Sequence, residues 1–171
     1  RDVEMSVAST KAFYAQIAAG FLLTVALADA VGVEPAADRQ ALLAALRDLP
    51  EALEATIATR PAIAQAAHQL APHRRYWAIV GNGANRVAAR EIRIKLSELC
   101  YKSIACDSTE DKKHIDLSSE PLILVCAAGL EGSNADDVAK EVAIYRAHKA
   151  APVVIATEGE GRFAAALQAL T

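Results

Sequence analysis

Lysine and arginine form no cluster anywhere in the 171 residues, and a formal net charge of −3 leaves no basic footprint for nucleic acid. Cysteine is scarce and odd in number. Cys100, Cys106 and Cys126 fall inside helix- and strand-like patterns, without the paired spacing of a disulfide framework or a zinc site. No metal is expected, and reduced thiols fit a cytoplasmic protein. Long apolar runs are lacking as well. The most apolar early stretch, AFYAQIAAGFLLTVALADAVG, is interrupted by Gln16 and runs into Asp29. It falls short of the ~18–20 unbroken residues that cross a bilayer, and it lacks the charged start and small-residue cleavage site of a signal peptide. A core helix in a soluble protein without a membrane partner is the expectation.

Hydrophobic residues make up 53% of the chain, enough for a substantial core. Two compositional halves meet near Pro72. From Lys11 to Leu70 the chain is rich in Ala and Leu at helical spacing. Ser9 or Thr10 can cap a first helix that Gly32 and Pro35 stop; Asp38 can cap a second through Leu49; Pro50 marks a break before a third; and Pro61 opens a fourth. After His73 come short, apolar, mostly β-branched runs, YWAIVG, KSIAC, LILVCAA and APVVIAT. Helical stretches at Asn85–Tyr101 and Asn134–Ala150, with a short irregular piece at Thr109–His114, separate them, and a last helix spans Glu160–Leu170. Runs apolar on both faces that alternate with helices predict a doubly wound, parallel α/β sheet preceded by a helical segment. The helical half has no sheet of its own to cover, and the last helix stops where another strand is due, so a piece of a larger protein is expected.

The turn GNGANR joins the first predicted strand to a helix. Gly81 and Gly83 permit backbone conformations and close approaches that bulkier residues resist, and the helix N-terminus can face an anion or a hydroxyl-rich ligand. A dinucleotide cradle is one reading, with Asp107 as the ribose acid, but Arg86 stands where the third glycine of that fingerprint belongs. Along the following helix, Glu91, Lys95, Glu98 and Lys102 share one stripe. Such a stripe is ordinarily a solvated face with pair energies of ~0.2–0.5 kcal/mol, and His114 alone is ordinarily a surface or hydrogen-bonded histidine. Composition and spacing leave these readings open.

Two stretches carry a resemblance. SVASTKAFYAQ, from Ser6 to Gln16, resembles the VASTKAF loop and helix start in the isomerase part of glutamine:fructose-6-phosphate amidotransferases, and GNGANRVAAREIRIKLSELCY resembles the glycine turn and following helix of the same enzymes. The resemblance implies a sugar isomerase (SIS) fold, flavodoxin-like. Residues 1–72 would be the end of a first lobe plus connecting helices, and 73–171 a second lobe cut short. It implies Glu98 as the base that moves a proton between C1 and C2 of a phosphosugar, Lys95 as the cation at the enediol oxygen, and His114 as the ring-opening histidine delivered across a dimer interface. Ser9 would contact the sugar, and Gly81, Gly83 and Glu91 would belong to the substrate site. No cofactor is implied.

The family's KHGP reads KHID here, from Lys113 to Asp116, and the chain is several residues shorter before EPLILV. The implied activity is conversion of fructose 6-phosphate, with glutamine-derived ammonia, to glucosamine 6-phosphate by a homodimeric enzyme. The 171 residues alone, without a phosphate loop or a C-terminal lysine, would be inactive. The alternative is a SIS module that binds a phosphosugar without converting it.

Overall fold

The computed structural model describes residues 4, 5, 7–33 and 36–168. The chain divides into two compact units, Arg1–Ile63 and Ala64–Thr171. Three helices come first: α1 (Lys11–Val31), α2 (Ala36–Ala58) and α3 (Arg60–Leu70). Then β1 (Trp77–Gly81), α4 (Ala84–Cys100), β2 (Ala105–Asp107), α5 (Thr109–Lys113), β3 (Leu122–Cys126), α6 (Gly132–Ala147), β4 (Ala151–Ile155) and α7 (Gly161–Gln168) alternate. This is the α/β order that the apolar runs predict.

The helical half departs from expectation in four places, the first at Asp38, which lies inside the first turn of α2 and does not cap it. Thr10 stands at the N-cap of α1, but its side chain makes no capping hydrogen bond. Glu4 reaches over six residues to accept from the Thr10 and Ala12 backbone N–H groups at 3.2 and 2.9 Å. Those two bonds hold its carboxyl below the ordinary carboxylate range. Pro50 does not break the chain, because α2 runs through it. A proline forfeits one hydrogen bond and crowds the preceding turn, and here the flanking Ala- and Leu-rich turns carry the helix across. Finally, α1 is 21 residues long and apolar enough, by length and composition alone, to cross a membrane. Gln16 and Asp29 lie within the helix and do not interrupt it. Nor is it a core helix among the described residues: Val25 is its one buried residue. Gly32 ends it in the left-handed conformation, as expected, whereas Pro35, Ser6 and Leu170 lie outside the described residues.

The four strands form one parallel sheet in the order β2-β1-β3-β4. Side chains alternate across a strand, so each strand serves two cores. Ala78, Val80, Ile123 and Val125 point to one face, where Val138, Val142 and Tyr145 of α6 and Phe163 of α7 cover them. Ile79 and Cys126, flanked by Trp77 and Leu124, point to the other, under Ala89, Ile92 and Leu96 of α4. Ile79, Val80, Ile123 and Val125 are fully buried, which is why these runs read as continuously apolar. At the opposite end of the strands, Arg74 donates 2.8 Å hydrogen bonds to the carbonyls of Glu120 and Lys149, tying together the entries to β3 and β4.

Gly81 ends β1 against the first turn of α4. A Cβ there would stand 2.5 Å from the Asn85 carbonyl oxygen and 2.8 Å from its carbon, both rigid backbone. Gly81→Ala should therefore cost ~1–3 kcal/mol or more in unfolding free energy. Gly20→Ala, in the middle of α1 with open space around it, should gain ~0.5–1 kcal/mol. Denaturant midpoints of the two variants check the contrast, and equal effects would contradict it.

Candidate functional site

In a doubly wound sheet the chain leaves neighbouring strands toward opposite faces at one point, and a crevice opens there at the carboxyl ends. Here that point lies between β1 and β3, since α4 covers one face and α6 the other. A cleft of about 380 Å³ occupies it, lined by the 82–85 turn, the 128–130 turn after β3, and Asn134, Asp137 and Val138 of α6. Gly83 forms its floor at φ +53° and ψ −129°, a conformation that excludes a side chain, and it stands at the N-cap of α4 with no side-chain cap. Asn85 Nδ2 donates to the Ala128 carbonyl at 2.9 Å, bridging the two turns.

The stripe on α4 is a separate feature. Ala89, Ile92 and Leu96 form the helix's buried seam. Glu91, Lys95 and Glu98 lie roughly a third of a turn round from it. Glu91 and Lys95 are consequently half-exposed and Glu98 exposed: their side chains retain 20%, 21% and 38% of their accessible surface. Lys95 Nζ lies 3.1 Å from Glu91 Oε1 and 3.4 Å from Glu98 Oε2, so one ammonium joins two carboxylates. Desolvation pulls the Lys95 pKa down, but the hydrogen bond and charge of Glu91, followed by those of Glu98, outweigh it and hold it above the ordinary lysine value. At 1.5 Å per residue, Glu98 lies roughly 20 Å along the axis from Gly83.

The residues singled out from the sequence are thus distributed. The structure brings Glu91, Lys95 and Glu98 together. It places Gly81 and Gly83 at the far end of the same helix. His114 caps the C-terminal end of α5, its side chain 68% exposed and its Nε2 3.4 Å from Glu110 Oε1. Ser9 belongs to the unit Arg1–Ile63, and the others to Ala64–Thr171. All three cysteines are free, and Cys126 is pushed up to about 11 by burial and the nearby Cys106.

Sequence reasoning missed the polar scaffold around α5. Asn82, between the two glycines, donates from Nδ2 to Thr109 Oγ1 at 2.7 Å and accepts from the Thr109 N–H at 3.1 Å. The buried Tyr145 donates to the Thr109 carbonyl at 2.5 Å. Burial, then the charge of Glu141, pushes the Tyr145 phenol well above its ordinary pKa. Lys113 donates to Glu110 Oε2 at 2.7 Å and to Glu141 Oε1 at 3.0 Å. The asparagine inside GNG was the one available signal. Glu141 sits in an unremarkable helical stretch.

No protein-family model matches the chain. Glutamine–fructose-6-phosphate aminotransferase (isomerizing) of Bordetella pertussis is 38% identical over 112 residues, 66% of this chain and 18% of that protein. The Streptococcus pyogenes enzyme of the same name is 29% identical over 163 residues, 92% of this chain and 27% of that protein. The chain is homologous to the isomerase part of these enzymes. The C-terminal domain of glucosamine-fructose-6-phosphate aminotransferase from Francisella tularensis superposes with a TM-score of 0.83 at 19% identity, over 92% of this chain and 44% of that one, and so shares the SIS-like fold. The chain therefore spans only about a fifth to a quarter of the length of these curated relatives.

The carboxyls on α5 and α6 have opposite pH signatures. Burial raises the Glu141 pKa, whereas the Lys113 hydrogen bond lowers that of Glu110. The stability linked to Glu141 is thus full below the ordinary carboxylate value and lost as pH rises through its raised one. That linked to Glu110 is present above the ordinary value and lost as pH falls through its lowered one. Unfolding measured from about pH 3 to 8 should show that Glu141→Gln flattens the upper decline and leaves the acid limb in place. An unchanged upper decline would contradict this.

Proposed function

We propose that this chain is the phosphosugar-isomerising part of a glucosamine-6-phosphate synthase-like enzyme. Residues 1–72 would be the end of a first SIS lobe with its connecting helices, and 73–171 a second lobe. The observation that carries the reading is the ion triad on α4. Glu91, Lys95 and Glu98 keep the register of the family's motif, and Lys95 is held between the two carboxylates at 3.1 and 3.4 Å. In this reading Glu98 removes the proton from C1 of the open-chain ketose, the electron pair moves into a C1–C2 double bond, and negative charge grows on the C2 oxygen. Lys95, one turn away along the helix, brings its ammonium to stabilise that charge; the C1 hydroxyl proton passes to the C2 oxygen, and Glu98 returns its proton at C2 as the C1 carbonyl of the aldose forms. Glu91 orients Lys95 from its other side.

In the same reading Ser9 contacts the sugar and His114 assists ring opening. His114 is exposed and free to face a second subunit of a homodimer, which is how the family delivers this group. Gly81 and Gly83 have a reason to be glycine in the fold alone, the one by close approach and the other by backbone conformation. They therefore support the helix that carries the site more than they support a ligand. The whole protein's substrate is fructose 6-phosphate or a related phosphosugar, and its compartment the cytoplasm.

The test uses the full-length protein. Glu98→Gln should lower isomerisation by ~10²–10⁴ while leaving sugar-phosphate affinity nearly unchanged, because the amide keeps the shape but cannot accept a proton. Lys95→Ala should also slow turnover. Full activity in both variants, with unfolding free energies within ~0.5 kcal/mol of the parent, would return the stripe to a solvated surface. Phosphosugar binding without turnover in the parent protein would favour a non-catalytic SIS module.

A further inference from the structure

Glu141 is 7% exposed, and its Oε2 has no hydrogen-bond partner among the described residues. A carboxyl left half-satisfied in a protein interior costs free energy, and neither the sheet packing nor the α4 triad accounts for it. What it touches is specific. Its Oε1 accepts from Lys113 Nζ at 3.0 Å, and Lys113 also donates to Glu110 at 2.7 Å. Lys113 is the last residue of α5, and His114 follows it.

A five-residue helix is too short to be stable on its own, so α5 must be held by its neighbours. At its start, Thr109 is fixed by Asn82 from the glycine turn and by Tyr145 from α6. At its end, the Lys113–Glu141 pair ties it to α6, where the Glu110 carboxyl also meets that of Glu141, while Ser108 bonds within the segment itself. Tyr145 and Glu141 are four residues apart on α6, and so stand on one face of it. Without the second tie, the packing of buried Lys112 would be left to hold the end of α5, and His114 beyond it could shift.

We propose that Glu141 is a positioning residue: through its bond to Lys113 it fixes the end of α5 and so aims His114. This rests on the reading of His114 as part of the isomerase site. It also has a consequence for the chain that is independent of catalysis, the rigidity of α5.

Both consequences are measured in the full-length protein with fructose 6-phosphate as substrate. Glu141→Ala should lower kcat by about 10- to 100-fold with KM changed by less than about threefold, since misplacement of one group suffices for such losses. Glu141→Gln keeps an oxygen for Lys113 and should recover turnover to within about threefold of the parent. The amides of Lys112, His114 and Ile115 should exchange with solvent at least about tenfold faster in the alanine variant. Should Glu141→Ala fail to fold, Lys113→Met removes the same bond from its half-exposed end and must reproduce the loss of kcat and the faster exchange. A merely structural role would lower the unfolding midpoint of the variants while leaving kcat and the α5 exchange at parental values, and would overturn the inference. Glu98→Gln is run alongside. If that variant stays active, the isomerase reading fails and the exchange measurement alone decides whether Glu141 holds α5.

Discussion

The absent side chain of Gly81 allows α4 to start directly on the end of β1. With any Cβ in place, the helix would have to retreat from the Asn85 carbonyl, 2.5 Å away. This contact fixes where α4 begins, and the seam of Ala89, Ile92 and Leu96 on Ile79, Ile104 and Cys126 fixes its rotation. A rigid helix with its origin and rotation set acts as a ruler. Every residue along it has a defined place, so the triad of Glu91, Lys95 and Glu98, which helical periodicity brings together, is held at a fixed position in the fold. The same turn supplies Asn82, which anchors α5. One close approach thereby organises both polar clusters.

The two clusters differ in how they are built. The α4 triad lies along one helix and is half-exposed, so its ion pairs alone contribute little to stability. Its chemistry lies in keeping a cation beside a carboxylate. The α5 cluster spans two elements and is partly buried, with one carboxyl pushed up and its neighbour held down. Neighbouring carboxyls whose ionisations separate in this way can share a proton. Burial, not sequence spacing, creates the second arrangement.

The parallel sheet was legible because its strands are buried on both faces and read as unbroken apolar runs. Its four strands, their alternation with helices and the glycine turn at a carboxyl end all follow from that pattern. The α4 stripe was legible because helical periodicity is local. Pairs distant in sequence were not: Lys113 with Glu141, and Asn82 with Thr109, meet only after β2 and α6 dock. The Glu4 carboxylate that accepts from the start of α1 escaped notice because it reaches across six and eight residues, outside the usual capping spacing. The first helix was legible to its end at Val31, but its apolar span was undercounted at Gln16 and Asp29, two polar residues that a 21-residue helix tolerates. The family resemblance supplied roles for Glu98, Lys95 and His114 that no spacing rule could.

In the proposed reaction a carboxylate on α4 moves a carbon-bound proton. That step is tested most directly with fructose 6-phosphate carrying deuterium at C1, followed by NMR on the full-length protein. The parent protein should move deuterium from C1 to C2 or to water, whereas Glu98→Gln should bind the sugar and leave the label in place. Loss of the label at comparable rates in both proteins would contradict it.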